Sequence, residues 1–336
     1  MQGLKVWGRK GDMEEMDDIT TKMNGISTKL NDIFPKEDDI FLKTSNIFQK
    51  TDNFFLIHNF NTVPEELLAY CKDYLIVDAS TDEGTVSALQ EKGLHFIHVE
   101  NTGHNITTYF TYFAQHYAEL PEVICICKGN MLERHCSKEY FDRVYDNSYF
   151  TYLYEDKESR PKFSKVKREE GNEGGKSSGK EIAISSISSL VSESQYIEEN
   201  TSWYVDSPSH PHRYFDDFDD LLQFIYKNPV IPRYCLFSPG ACYIVRREQV
   251  RKNSPEFYLN LNKIMNYALE PNFPAEAHMV ERMLPLIFES AYEVNGWMED
   301  GEAFDRKLEE RAEIIRKKDE WNGKRFKRLR RLLGKG

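Results

Sequence analysis

Apolar and polar positions change period several times along the chain. From residue 53, short apolar runs alternate with helical patterns. NFFLIHNF, YLIVDAS, LHFIHVEN and EVICICKGN read as strands, and PEELLAYC, TVSALQEKG and HNITTYFTYFAQHYAEL between them read as helices. In EVICICKGN the run from Val123 to Cys127 is continuously apolar, too short for a typical globular helix, and ends at Lys128-Gly129-Asn130. A strand buried on both faces has this pattern. Strands alternating with helices build βαβ units, so the fold class expected over residues 53–130 is α/β. Its centre would be a mostly parallel, Rossmann-type sheet with helices on both faces.

On either side the pattern weakens. Residues 1–52 are polar, carry the acidic run MEEMDD and show no sustained periodicity, so they read as a loosely ordered extension. CSKEYFDRVY reads as a helix. Residues 155–200 are then rich in Gly, Ser and charge, as in SRPKFSKVKREEGNEGGKSSGKE, and read as a mobile insertion that cannot bury a core. Periodicity returns with SWYVDSP, DDLLQFIYKN and the strand-like CLFSPGACYIVRRE. SPEFYLNLNKIMNYAL, AEAHMVERMLPLIFES and a segment from about residue 302 read as helices. The organisation expected is an extension over 1–52, a domain over 53–298 with its insertion, and a C-terminal helix over 299–336 with a basic amphipathic tail.

Composition narrows the function classes. A net charge of −11 argues against general nucleic-acid binding, which needs a basic face. The six cysteines form no CxxC pair, and Cys125, Cys127 and Cys242 lie in apolar runs. They read as small buried hydrophobes in a reducing compartment. Neither a signal-peptide core nor an apolar run of about 18 residues occurs, so a cytoplasmic chain that does not span a membrane is expected. The tail qualifies that picture. Asn322 to Gly336 holds seven Lys and Arg and no acid, with Phe326, Leu329, Leu332 and Leu333 on one helical face and Trp321 just before. An ordinary solvated end or a partner-binding helix can have this pattern, but it is above all that of a basic amphipathic helix lying on anionic lipid, so peripheral attachment to the inner face of the cytoplasmic membrane through 322–336 is expected.

Candidate chemistry sits at the strand ends, because ligands of open α/β sheets bind outside the carboxyl ends of the strands. Asp78 ends YLIVDAS and is placed either to accept hydrogen bonds from a base or ribose or to cap a turn. His58, Asn59 and Asn61 end the first strand, and His95 and His98 read as packing residues of the third. His104 and Asn105 stand at a helix mouth, where unpaired N–H groups attract phosphate and where a plain cap has the same composition. Lys128 is either a point charge suited to a diphosphate, with Asn130 and His135 completing the rim, or a lysine that snorkels to the surface. SHPHRYFDDFDD suggests a metal, but its acids open a helix and there complement the dipole, so no metal ligands are assigned. Glu276 and Glu281, beside Arg282, are alternatives for a general base or for a structural ion pair. No GxSxG, Walker or GxGxxG pattern occurs, so hydrolase, P-loop and dinucleotide readings lack support.

Two blocks resemble a little-characterised bacterial and fungal family of GT-A glycosyltransferase-like proteins. NTGHNITTYFTYFAQHYAELPEVICICKGN is similar to that family's N-x-G opening, T-Y-[LF] helix, Leu-Pro corner and strand ending in Gln-Gly. SPGACYIVRREQVRKNSPEFY, with Glu281-Arg282 later, forms the second block. The resemblance implies a GT-A-like fold and transfer of a sugar from a nucleotide-sugar donor to a cell-surface glycan or lipid-linked acceptor. Strand-end placement then puts Asn59, Asp78, His104, Asn105, Lys128, Asn130 and His135 on the donor side, and within the resemblance Gly240, Ala241 and Arg282 fall on the acceptor side. His104-Asn105 stands where the family has Arg-Glu, and Lys128 where it has Gln. A GT-A-like fourth strand normally delivers an Asp-x-Asp that holds a divalent cation. Here Lys128 and Asn130 stand there, so a protein cation would meet the diphosphate charge. No cofactor is read from the residues, and Mg²⁺ or Mn²⁺ stays open. Two other readings also stay open: a nucleotidyl- or phosphoryl-type transferase on the same scaffold, and a non-catalytic nucleotide- or glycan-binding module.

Overall fold

The computed structural model describes residues 51–101, 104–132, 134–155, 195–200, 212–266 and 274–332. Four strands, β1 (Phe54–Asn59), β2 (Asp73–Asp78), β3 (Phe96–His98) and β4 (Val123–Lys128), run parallel in the order β3-β2-β1-β4. Two of the later strands, β5 (Thr151–Tyr152), β6 (Tyr196–Glu199), β7 (Tyr234–Phe237) and β8 (Tyr243–Arg246), extend this sheet. β8 lies antiparallel to β4, and β5 antiparallel to β8, which gives a mostly parallel six-stranded mixed sheet. β6 and β7 form a separate antiparallel pair.

The continuous apolar runs of β1 and β4 follow from cover on both faces. Phe55, Ile57, Cys125 and Cys127 pack on one side with Leu67 of α1 (Glu65–Leu68), Leu89 of α2 (Glu83–Glu91) and Phe141 of α4 (Lys138–Val144). Phe54, Leu56, Ile124 and Ile126 face the other side. There α3 (Asn105–Gln115) packs on α7 (Pro255–Met265), with the Phe110 and Tyr258 rings 5.2 Å apart. α5 (Phe218–Ile225), α6 (Arg247–Val250) and α8 (Ala275–Glu289) complete this layer. Helix starts are closed locally. Asp82, Ser137, Asp217 and Ser254 each accept a backbone N–H of the helix they begin, and such a cap contributes about 1 kcal/mol.

The C-terminal helix α9 (Gly301–Leu332) starts as part of this core. Phe304, Leu308 and Ile315 are buried, Arg311 donates to the Tyr214 carbonyl at 3.1 Å and pairs with Asp220, and Lys318 reaches Asp216 at 2.7 Å. Among the described residues no helix is long and apolar enough to cross a membrane. All six cysteines are free; Cys71 is half-buried and the others are buried.

Three elements differ from the sequence expectation. β3 is a short edge strand, so His95 just before it and His98 within it are exposed rather than packed inside. The end of the expected insertion is ordered as β6, where Tyr196 packs edge-on against Phe237 at 5.4 Å and Glu198 pairs with Arg282. CLFSPGACYIVRRE is split by a turn in which Gly240 and Ala241 take φ of 89° and 55°, so its two halves join different sheets. The expected extension up to residue 50, the insertion over 156–194, SWYVDSP and Leu333 lie outside the described residues, as do the side chains of Phe326, Leu329 and Leu332.

Candidate functional site

The chain leaves β1 toward β2 on one side and reaches β4 on the other, so the strand order switches between β1 and β4. At their carboxyl ends His58 is paired in register with Lys128. Open α/β sheets bind ligands at such a point. A cavity of about 330 Å³ opens there. The loop after β1 contributes Phe60 and Thr62, the mouth of α3 contributes Asn101, His104 and Asn105, and the end of β4 contributes Lys128, Gly129, Asn130 and Arg134. His104, Asn105, Lys128 and Asn130, all expected on the donor side, are thus brought together.

Asn59 and Asp78 lie beneath the cavity rather than in it. Neither exposes any surface. Asp78 Oδ1 accepts from Asn59 Nδ2 at 2.8 Å and from Ser80 Oγ at 2.6 Å, while Oδ2 faces His98 Nδ1 at 2.8 Å. Asn59 Nδ2 also donates to the Thr62 carbonyl at 2.7 Å, and the Asn61 N–H donates to Ser80 Oγ at 2.7 Å. This network fixes the 59–62 loop, in which Asn61 adopts φ 49°, and so sets where Phe60 and Thr62 stand. Gly129 permits the same arrangement: a Cβ there would fall 2.4 Å from Asn59 Oδ1. Strand-end placement suggested ligand contact for both residues; the structure gives them the role of supports.

The imidazoles around the cavity are held neutral. Burial, then the charges of Lys128 and His104, lower His58 to about 4, and burial lowers His104 to about 4. His58 Nδ1 lies 3.0 Å from the Thr108 hydroxyl, and His104 Nδ1 lies 3.0 Å from that of Thr107. His135 does not line the cavity. It packs against Gly240, where a Cβ would meet its Nε2 at 2.6 Å, and burial, Lys128 and Arg134 bring it to about 4.

Asn105 connects the cavity to Glu281. Asn105 Nδ2 donates to the Gly240 carbonyl at 2.8 Å, and the Gly240 N–H donates to Glu281 Oε1 at 2.8 Å. The first turn of α3, the 238–241 turn and α8 are thereby tied into one unit. Burial pushes the Glu281 carboxyl up, against the opposing pull of Arg282, the Gly240 N–H and Lys128. Its side chain keeps 20% of its surface exposed, which leaves it reachable.

Glu276, the alternative base, is not brought to this place. It is fully buried, and its Oε1 accepts the backbone N–H groups of Arg213 at 2.8 Å and Tyr214 at 2.7 Å. Arg282, expected on the acceptor side, is engaged inside the fold. It meets Glu198 at 2.6 Å and stacks over the Phe237 ring at 4.6 Å. Ala241 is buried within the turn. The acids of SHPHRYFDDFDD serve the start of α5: Asp217 caps it, Asp220 pairs with Arg311, and Asp219 accepts from Asn200 at 2.6 Å. His210 lies outside the described residues. Among the described residues no group of three His, Cys, Asp or Glu side chains converges as a metal-ligand set.

Sequence reasoning missed Phe60, Thr62 and Arg134. Phe60 is 44% exposed at the lip of the cavity, and the available signal was its position in the loop that follows a parallel strand. Comparison with protein-family models, with curated proteins and with solved structures finds no match to this chain.

Proposed function

We propose that the chain is a GT-A-like glycosyltransferase that holds a nucleotide-sugar donor in the cavity at the β1/β4 switch point. The observation that carries the reading is that Lys128 lines the switch-point cavity while Glu281 is tied to the cavity's Asn105 through the Gly240 backbone. Glycosyl transfer needs both groups. The donor diphosphate must leave with the electron pair of its bond to the anomeric carbon, and Lys128 and Arg134 supply positive charge for it. The acceptor hydroxyl must lose its proton as its oxygen bonds to that carbon, and Glu281 takes it. A carboxyl with an elevated pKa is the better base for that step near neutral pH.

The other groups fit the same division. The mouth of α3, an 11-residue helix, offers N–H groups to phosphate, and the neutral His58 and His104 add hydrogen bonds without charge. The 238–241 turn, whose half-buried Gly240 holds Glu281 through its N–H, forms the approach for a glycan or lipid-linked acceptor. The GT-A-like reading is supported by the parallel run β3-β2-β1-β4 and its ligand edge.

The test is a panel of nucleotide sugars incubated with the purified chain, with released nucleotides separated by chromatography. Release of a nucleoside diphosphate is expected, and Glu281→Gln should abolish release while thermal stabilisation by the nucleoside diphosphate persists. Release of pyrophosphate or a nucleoside monophosphate instead would assign nucleotidyl or phosphoryl transfer. Stabilisation by no nucleotide at all would contradict the reading.

A further inference from the structure

The helix α9 leaves the domain partway along its length. Phe304, Leu308 and Ile315 seat it, and beyond Ile315 the described side chains from Arg316 to Asn322 are all exposed. The helix nevertheless continues without a break to Leu332. Seventeen residues at the helical rise carry it about 25 Å further. In helical register, Phe326 and Leu329 fall on the line of Phe304, Leu308 and Ile315. The stripe that docks the helix on its own domain therefore runs on past the point where the domain ends. Ile314, 50% exposed, and Trp321, 58% exposed, lie about a quarter turn to one side of that line.

Charge separates at the same place. Acids accompany the helix as far as Asp319 and Glu320; from Asn322 to Gly336 there are seven Lys and Arg and no acid, in a chain whose net charge is −11. We infer that the C-terminal half of α9 is an anchor for an anionic lipid surface, the stripe entering the acyl boundary and the basic positions meeting the headgroups. Charge complementarity selects this occupant: a lipid surface pairs many like charges with an apolar layer beside them. A nucleic acid would use the charges and leave the stripe bare. The inference stands apart from the proposed transfer reaction, since neither the cavity nor Glu281 enters it.

The test is co-sedimentation of the full chain with phosphatidylcholine vesicles, with and without phosphatidylglycerol, at low and high salt. Binding is expected to the anionic vesicles only, falling by about tenfold or more as salt rises, because headgroup attraction is screened within a Debye length. Arg328→Glu with Arg331→Glu should remove most binding, and Leu329→Asp should remove the part that resists salt. Thermal unfolding of both variants should match the parent, which shows that the domain is intact. Equal sedimentation with neutral vesicles, equal binding by the charge-reversed chain, or no binding by the parent would each overturn the inference. A lipid-free dimer that Leu329→Asp dissolves would overturn it too, by giving the stripe to a second copy.

Discussion

Replacing Asp78 with Ala tests whether this carboxylate holds the fold or touches a ligand. Asp78 has no exposed surface, and two of its partners, Asn59 Nδ2 at 2.8 Å and Ser80 Oγ at 2.6 Å, are buried with it. A hydrogen bond to a charged acceptor contributes about 1.5–3 kcal/mol, and a buried donor left without its partner adds its own desolvation cost. Asn59 keeps the Thr62 carbonyl, and the half-exposed His98 can turn to water, so the loss is concentrated in the two buried bonds. Asp78→Ala should therefore destabilise the chain by about 3–5 kcal/mol. Asp78→Asn keeps an oxygen for both donors and should cost about 1–2 kcal/mol. Urea unfolding, read as the shift in midpoint at constant slope, measures both. A change below about 1 kcal/mol for Asp78→Ala, with a fall in nucleotide affinity, would refute the supporting role and return Asp78 to the ligand.

Three further outcomes are expected. Gly240→Ala forces a side chain into φ 89° and places its Cβ 2.6 Å from His135 Nε2; a loss of about 1–3 kcal/mol in thermal unfolding is expected, and a neutral result would contradict the packing. His58, at about 4 in the fold against about 6.5 in the unfolded chain, binds its proton more weakly when folded. Its contribution, roughly 3 kcal/mol, is complete above about pH 6.5 and is lost as pH falls through about 4, so unfolding free energies that stay flat across this window would refute it. Phe304→Ala should cost about 3–5 kcal/mol, because the ring is fully buried against Phe224 at 5.9 Å; a loss below about 1 kcal/mol in urea would mean that α9 is not seated in the core.

The central strands were legible because burial on both faces writes itself into β1 and β4 as unbroken apolar runs. The direction of β8 was not legible, since an antiparallel strand buried on both faces has the same composition as a parallel one. β6 was hidden for a different reason. Its Tyr196 and Glu198 are fixed by Phe237 and Arg282, distant partners that no local pattern reveals. At the site, topology pointed to the carboxyl edge of β1 and β4, and His104, Asn105, Lys128 and Asn130 do line one cavity there. Which glutamate of α8 joins the hydrogen-bond network beside it was not legible. Glu276 and Glu281 lie on different faces of α8, and only tertiary structure gives one to the 213–215 backbone and the other to Gly240. Asp78 shows the same limit, because a strand end fixes position and leaves depth of burial open.

The most direct measurement is calorimetric titration of a nucleoside diphosphate into the parent chain and into Lys128→Ala. Saturable binding is expected for the parent, with affinity at least about tenfold weaker in Lys128→Ala, the loss of one charge-assisted contact to the diphosphate. Unfolding midpoints recorded on both chains show whether the substitution acts on the ligand alone. Equal affinity in the two chains, or no heat of binding in the parent, would contradict a donor site at the β1/β4 switch point.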